Sequence, residues 1–203
     1  MGRQHEQHEG FKSLGKNVKI YPSAKIIGRE YISVADNVII DDFVFIHATA
    51  PIFIGSYIHI ASFTSITGGG VIVLEDFSTL SSGVRIFSGS DDFHGGGMTN
   101  STIPDRYRSV SRTHVHVGRH VIIGTNSVIL PSVKLAEGVA VGAGAVVTRS
   151  LDAWGVYVGS PAHRLKDRPS KIILDHEQAL IDEGLFTPMS ASVFDRFLAR
   201  SGR

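Results

Sequence analysis

The chain has 203 residues, 42% of them hydrophobic, and 20 Lys and Arg against 19 Asp and Glu give a formal net charge of +1. That balance gives no basis for a nucleic-acid or membrane surface, and the absence of Cys removes disulfides, thiolate metal sites and a cysteine nucleophile together. No apolar run reaches the length of a membrane span and no cleavable signal opens the chain, so a cytoplasmic protein is expected.

Met1 to Gly10 is polar around His5 and His8, and residues 1–16 are expected to form a loose arm. Aliphatic residues then begin to recur every sixth position, near Val18, Ile20 and Ile26, with phase recovered at Val34, Ile40 and Ile46 and kept by Ile54, Ile60 and Ile66. After an eight-residue step through Gly68, Gly69 and Gly70, the period resumes at Leu74, Leu80 and Ile86. It then stops. The stretch 87–114 has no period of two or 3.6 and is rich in Gly, Ser, Asp and Arg, so it reads as a loop ejected from the repeat, and long loops of this kind tend to carry function.

The most regular run follows: Val117, Ile123, Ile129, Leu135, Val141 and Val147 are six apart, each followed by Gly118, Gly124, Leu130, Ala136, Gly142 or Thr148. A six-residue unit is too short for a strand, turn and helix. It suits one flat side of a three-sided parallel β-helix, with aliphatic residues inside and small residues at the corners. The fold class is therefore an all-β solenoid over residues 17–168 with an ejected loop, followed by a helical tail over 169–203. In the tail, Ser170 is placed to cap a helix with Ile172, Ile173, Leu180 and Ile181 on one face, ending near Gly184. A second short helix over 190–200 is expected beyond Pro188, the whole tail closing the open end of the solenoid.

The repeats, the loop after Ile86, and the exit through Thr148-Arg149 and Tyr157-Val-Gly-Ser-Pro-Ala162 resemble the hexapeptide-repeat acyltransferases over roughly residues 12–168, in particular the galactoside, maltose and polysaccharide-cluster O-acetyltransferases. The resemblance implies a left-handed β-helix, a homotrimer, and acetyl-CoA as co-substrate in a cleft between subunits, with no metal required. The function it implies is O-acetylation of a sugar or nucleotide-sugar acceptor, a general-base His assisting attack of the hydroxyl on the thioester. Family members carry a His followed by Pro about five residues into the loop; here that position is Asp91, followed by Asp92 and Phe93.

His94 is the nearest imidazole in the right loop, and a neutral imidazole can take a proton from a sugar hydroxyl. Asp91 or Asp92 would orient that ring or bind the sugar. His59, predicted to point outward in one column with Ile122 and Ala140, is the second candidate base; His47 ranks below it, and His114, His116 and His120 are expected at the surface. For the coenzyme, the resemblance implies Thr125, Ala143, Thr148, Arg149, His163, Arg164 and Lys166: small corners admit the pantetheine arm, and Arg and Lys engage phosphates by charge-assisted hydrogen bonds.

Three alternatives stay open. N-acetylation of an amino sugar-nucleotide needs a weaker base, so the missing loop His would matter less. A zinc enzyme like the γ-class carbonic anhydrases needs imidazoles converging at one height, which the spacing of His114, His116 and His120 within one turn does not provide. A non-catalytic solenoid of the ice-binding kind needs regular Thr or Ser ladders, which are not seen. Phe43, Phe45, Phe53, Tyr57 and Phe63 exceed the cover one subunit can give, which is a separate argument for a trimer.

Overall fold

The computed structural model describes residues 8–188. The chain winds as a left-handed parallel β-solenoid of about seven turns. Its first side stacks Ser13–Leu14, Ile32–Val34, Ile52–Ile54, Val71–Leu74, His114–Val117 and Val133–Leu135. The second side stacks Lys19–Ile20, Ile39–Ile40, His59–Ile60, Thr79–Leu80, Ile122–Ile123, Ala140–Val141 and Gly155–Val158. The third runs Lys25–Ile27, Phe45–His47, Ser65–Thr67, Arg85–Phe87, Val128–Ile129 and Val146–Val147.

Parallel register sets one aliphatic residue above the next. On the second side Ile20, Ile40, Ile60, Leu80, Ile123, Val141 and Tyr157 form one inward column. Most of these side chains have no exposed surface. Each fully buried Ile or Leu contributes about 2 kcal/mol, which is why the six-residue period survives every insertion. The first coil already starts at Ser13, inside the stretch expected as an arm, whose residues 1–7 lie outside the described residues.

Corners turn through residues with left-handed backbone. At the first corner, between first and second sides, these are Asn17, Asn37, Tyr57, Phe77, His120, Gly138 and Trp154. At the second corner, between second and third sides, they are Phe43, Phe63, Gly83, Asn126 and Gly144. Gly138 has a clear reason to be Gly: a Cβ there would come within 2.3 Å of the Trp154 ring.

The tail departs from expectation in three ways. The helix α1 spans Lys171–Asp182 with Ser170 at its N-cap, but the Ser170 side chain makes no capping hydrogen bond. Its expected apolar face is poorly covered, with Ile172 70% exposed, and the one buried residue of α1 is Glu177. The cause lies in where it packs. Glu177 meets Arg119 and His120, and Phe186 packs on Tyr57 and Phe77, so the tail runs down the first corner instead of over the open end. The end is closed by His163–Asp167, which folds back antiparallel on Gly155–Val158, and by the Arg164 guanidinium on the buried Tyr157. The expected second helix over 190–200 lies outside the described residues. No helix among the described residues is long and apolar enough to cross a membrane.

Candidate active site

The ejected loop leaves at the third corner. Its stem is a two-stranded antiparallel ribbon, Gly89–Ser90 with Ser111–Arg112. The stem lies close against the coil: a Cβ on Gly89 would sit 2.2 Å from the Gly68 carbonyl oxygen. Ser90 to His94 form one wall and Ser109 to Ser111 the other of an open groove of about 330 Å³.

The two carboxylates of this groove differ in their fastening. Asp91 accepts a hydrogen bond from the Arg108 guanidinium at 3.1 Å, and Arg108, whose side chain is 11% exposed, also reaches Asp105 at 3.4 Å. Asp92 is held by backbone instead: it accepts the N–H groups of His94, at 2.8 Å, and Gly96. Those backbone donors, His94 first, hold the Asp92 carboxyl below the usual carboxylate range. It is thus a carboxylate throughout the physiological range. His94 is exposed, its backbone tied to Asp92 and its ring open to solvent.

His59 stands on the outer face of the second side, and register with Thr79, Ile122 and Ala140 places it in the expected column. Its Nε2 is 3.0 Å from Asp41 Oδ2. It does not share the groove of the loop. The expected coenzyme residues fall into separate places. Thr125 and Ala143 are exposed at the second corner, while Thr148 and Arg149 are exposed after the last strand of the third side. His163, Arg164 and Lys166 lie on the antiparallel strand at the solenoid end. Arg164 is already engaged by Asp167 at 2.9 Å and by the Tyr157 hydroxyl at 3.1 Å, leaving Arg149 as the less committed cation.

Three histidines differ from expectation. His116 and His120 are 5% and 8% exposed, and His114 is half-buried. His116 Nε2 meets Glu75 at 2.7 Å and His120 Nε2 meets Glu177 at 2.8 Å, while Arg119 bridges Glu177 and Glu137 at 2.6 Å each. Burial lowers the His114 value, with the charge of His116 adding to it. Sequence reasoning missed this network because its partners are 18 to 58 residues apart and carry no local pattern. The available signal was Glu177 itself, an acid between Ile173 and Leu180 on the expected apolar face.

The structure is thus a parallel solenoid of six-residue repeats, interrupted by one carboxylate-lined loop. The sequence agrees: residues 114–149 match the bacterial transferase hexapeptide model of six repeats. The chain belongs to the bacterial transferase hexapeptide family and is an acyltransferase. It is 42% identical over 165 residues to the dTDP-4-amino-4,6-dideoxy-D-glucose acyltransferase of Escherichia coli, covering 81% of this chain and 86% of that protein. The structure of AntD, an N-acyltransferase from Bacillus cereus in complex with dTDP and 3-hydroxybutyryl-CoA, superposes with a TM-score of 0.82 at 39% identity, over 91% of this chain and 97% of that one. WbbJ of Escherichia coli K12, named for O-acetyl transfer in lipopolysaccharide biosynthesis, is 30% identical over 163 residues, 79% of this chain and 74% of that one.

Proposed function

We propose that the chain transfers an acyl group from acyl-coenzyme A to the amine of a dTDP-linked 4-amino sugar. The expectation of O-acetylation gives way to the N-acyl alternative because the two relatives near 40% identity are amino-sugar or N-acyltransferases, against 30% for the O-acetyl relative. The observation that carries the reading is the pair of fixed carboxylates where a hydroxyl-acylating enzyme of this family carries His-Pro. An amine is nucleophilic once neutral and needs orientation more than a strong base, whereas a hydroxyl must be deprotonated as it attacks.

In the reaction, the neutral amine attacks the thioester carbonyl. The C–N bond forms, the C–S bond breaks, and the proton lost from nitrogen goes to the departing thiolate. Asp92, held ionised, accepts a hydrogen bond from the amine and stabilises the positive charge that develops on nitrogen. Asp91 and Arg108 fix the wall behind it, and His94 is placed to take the proton from an incoming ammonium. The thioester is already an activated acyl donor, so the step calls for no metal.

The coenzyme is placed along the second corner and solenoid end, by Thr125, Ala143, His163 and Lys166, with Thr148 and Arg149 in the same role from the third side. His59 lines the second side rather than the reacting atoms. The working unit is a homotrimer in the cytoplasm; exposed Ile39 and Ile122 on the second side favour a subunit contact there, and a monomer by light scattering at micromolar concentration would overturn it. The five aromatics no longer argue for the trimer, because Phe53 is 9% exposed, Phe45 is half-buried and Tyr57 lies under Phe186, which leaves Phe43 and Phe63 as one exposed pair and no contiguous patch.

Steady-state kinetics test these roles. Asp92→Asn is expected to lower kcat about a hundredfold, the scale of losing one electrostatic partner of the transition state, with the KM for acyl-CoA unchanged. Arg149→Ala is expected to raise that KM tenfold or more at constant kcat, and Arg164→Ala to do less because Asp167 already holds it. An Asp92→Asn enzyme with normal kcat would remove the carboxylate from the mechanism.

A further inference from the structure

Phe43 and Phe63 stack with centroids 5.1 Å apart and planes at 8°, yet 58% and 59% of their surfaces face solvent. Both sit at φ values of 62° and 64°, a conformation that costs a non-glycine residue about 1–2 kcal/mol. Stability does not account for two such rings. On the next rung the corner has Gly83, and a Cβ there would lie 2.1 Å from Asn126 Oδ1, so the Asn126 amide leans over the rung above Phe63.

From this corner the outer face of the third side runs to the root of the ejected loop. Its outward columns, by register, are Lys25, Phe45, Ser65, Arg85, Val128 and Val146, then Ile27, His47, Thr67 and Phe87. They contain cations and no carboxylate. Arg85 is anchored by one nitrogen, its Nη1 donating to the carbonyls of Phe63 and Gly83, and the residue stays partly exposed. The nearby acids are already engaged, Asp41 by His59 at 3.0 Å and Asp42 by the Ser23 N–H at 2.8 Å. From Phe63 to the loop stem is four to five extended residues, about 15 Å, the span of an extended nucleoside-diphosphate sugar.

We propose that the second corner and third side bind the nucleoside diphosphate of the acceptor. The base stacks on Phe63 with the Asn126 amide at its edge, the diphosphate lies against Arg85 and Lys25, and the sugar amine reaches Asp92. The proposal rests on the N-acyl reading, and it gives the nucleotide the earlier coils of this wall, from Lys25 to Arg85, and leaves the later coils, with Thr125, Ala143, Thr148 and Arg149, to the coenzyme. Base-on-aromatic stacking is sequence-tolerant but strong enough to measure on loss of one ring.

Calorimetric titration with dTDP alone and with coenzyme A alone separates the two. Phe63→Ala is expected to weaken dTDP about tenfold, ~1.4 kcal/mol, and Arg85→Gln tenfold or more, both leaving coenzyme A affinity unchanged and Phe63→Tyr restoring dTDP binding. Unchanged dTDP affinity in both variants, a loss falling on coenzyme A instead, or no dTDP affinity in the wild type would overturn the proposal. So would a Phe63→Ala protein that falls to a smaller assembly by light scattering while keeping its dTDP affinity, since the rings would then be a subunit contact. If dTDP binds as expected but no amine is acylated, the nucleotide wall stands and the N-acyl reading is what fails.

Discussion

At the first corner Tyr57, Phe77, His120 and Trp154 occupy the same left-handed backbone as Phe43 and Phe63 at the second. The surroundings are opposite. Phe77 stacks on Tyr57 at 5.3 Å and on His120 at 5.0 Å, Phe186 closes on it edge-first at 4.6 Å, and the Tyr57 hydroxyl donates to the Leu185 carbonyl at 2.6 Å. Here ring burial offsets backbone strain, and the ladder is the seat of the tail. At the second corner Phe43 and Phe63 have each other for cover, and more than half of each ring's residue surface stays exposed. Rings in one conformation thus serve architecture where the tail lies on them and recognition where it does not.

The comparison breaks most directly at Glu177. Replacing it with Ala leaves the His120 and Arg119 partners facing an empty, largely buried position, and about 3 kcal/mol of stability should be lost in urea unfolding. A loss under about 1 kcal/mol would mean the tail is held by something other than this network. Next in size is a matched pair of ring deletions. Phe77→Ala should cost about 2 kcal/mol, whereas Phe63→Ala should stay within about 1 kcal/mol of wild type, since it loses one exposed stack. Equal midpoints for the two variants would erase the distinction between the corners.

The smallest effect is in pH. Burial pushes the Glu75 carboxyl up, but the His116 hydrogen bond and the charges of His116 and Arg119 outweigh it, so its folded value lies below its ordinary 4.5. An acid depressed in this way contributes stability above its unfolded value and loses it as pH falls through the folded one. Asp76 beside it is pushed up, first by burial and in smaller part by the Glu75 charge, so the Gln variant relieves that smaller part. The stability advantage of wild type over Glu75→Gln should therefore be full at pH 7 and shrink below about pH 4.5. An advantage that grows on acidification would reverse the assignment.

Much of the fold was legible because the solenoid writes its core into the sequence at one spacing: Ile40, Ile60, Leu80 and Ile123 follow the repeat and stack in register. The loop was legible as the place where that spacing fails. The tail was legible as a helix starting at Ser170 and ending near Gly184 but not in its docking, since α1 docks through Glu177 on charges 57 and 58 residues away, and an apolar-face pattern points to the wrong surface. The groove was half legible. Asp91, Asp92 and His94 stood out in the loop, but nothing in the sequence told that Arg108 fastens the first and backbone N–H groups the second. Phe43 and Phe63 were visible as excess aromatics, but which of five would stay bare depended on contacts distant in sequence, Phe186 on Tyr57 and Val71 and Val73 beside Phe53.

The account turns on the atom that is acylated. Wild-type protein, an acyl-coenzyme A and dTDP-4-amino-4,6-dideoxyglucose, followed by product mass, should give one added acyl group per sugar with free thiol released in equal amount, and the 4-hydroxyl counterpart should remain unmodified. Acylation of the hydroxyl sugar at a comparable rate, with the amino sugar left untouched, would contradict it.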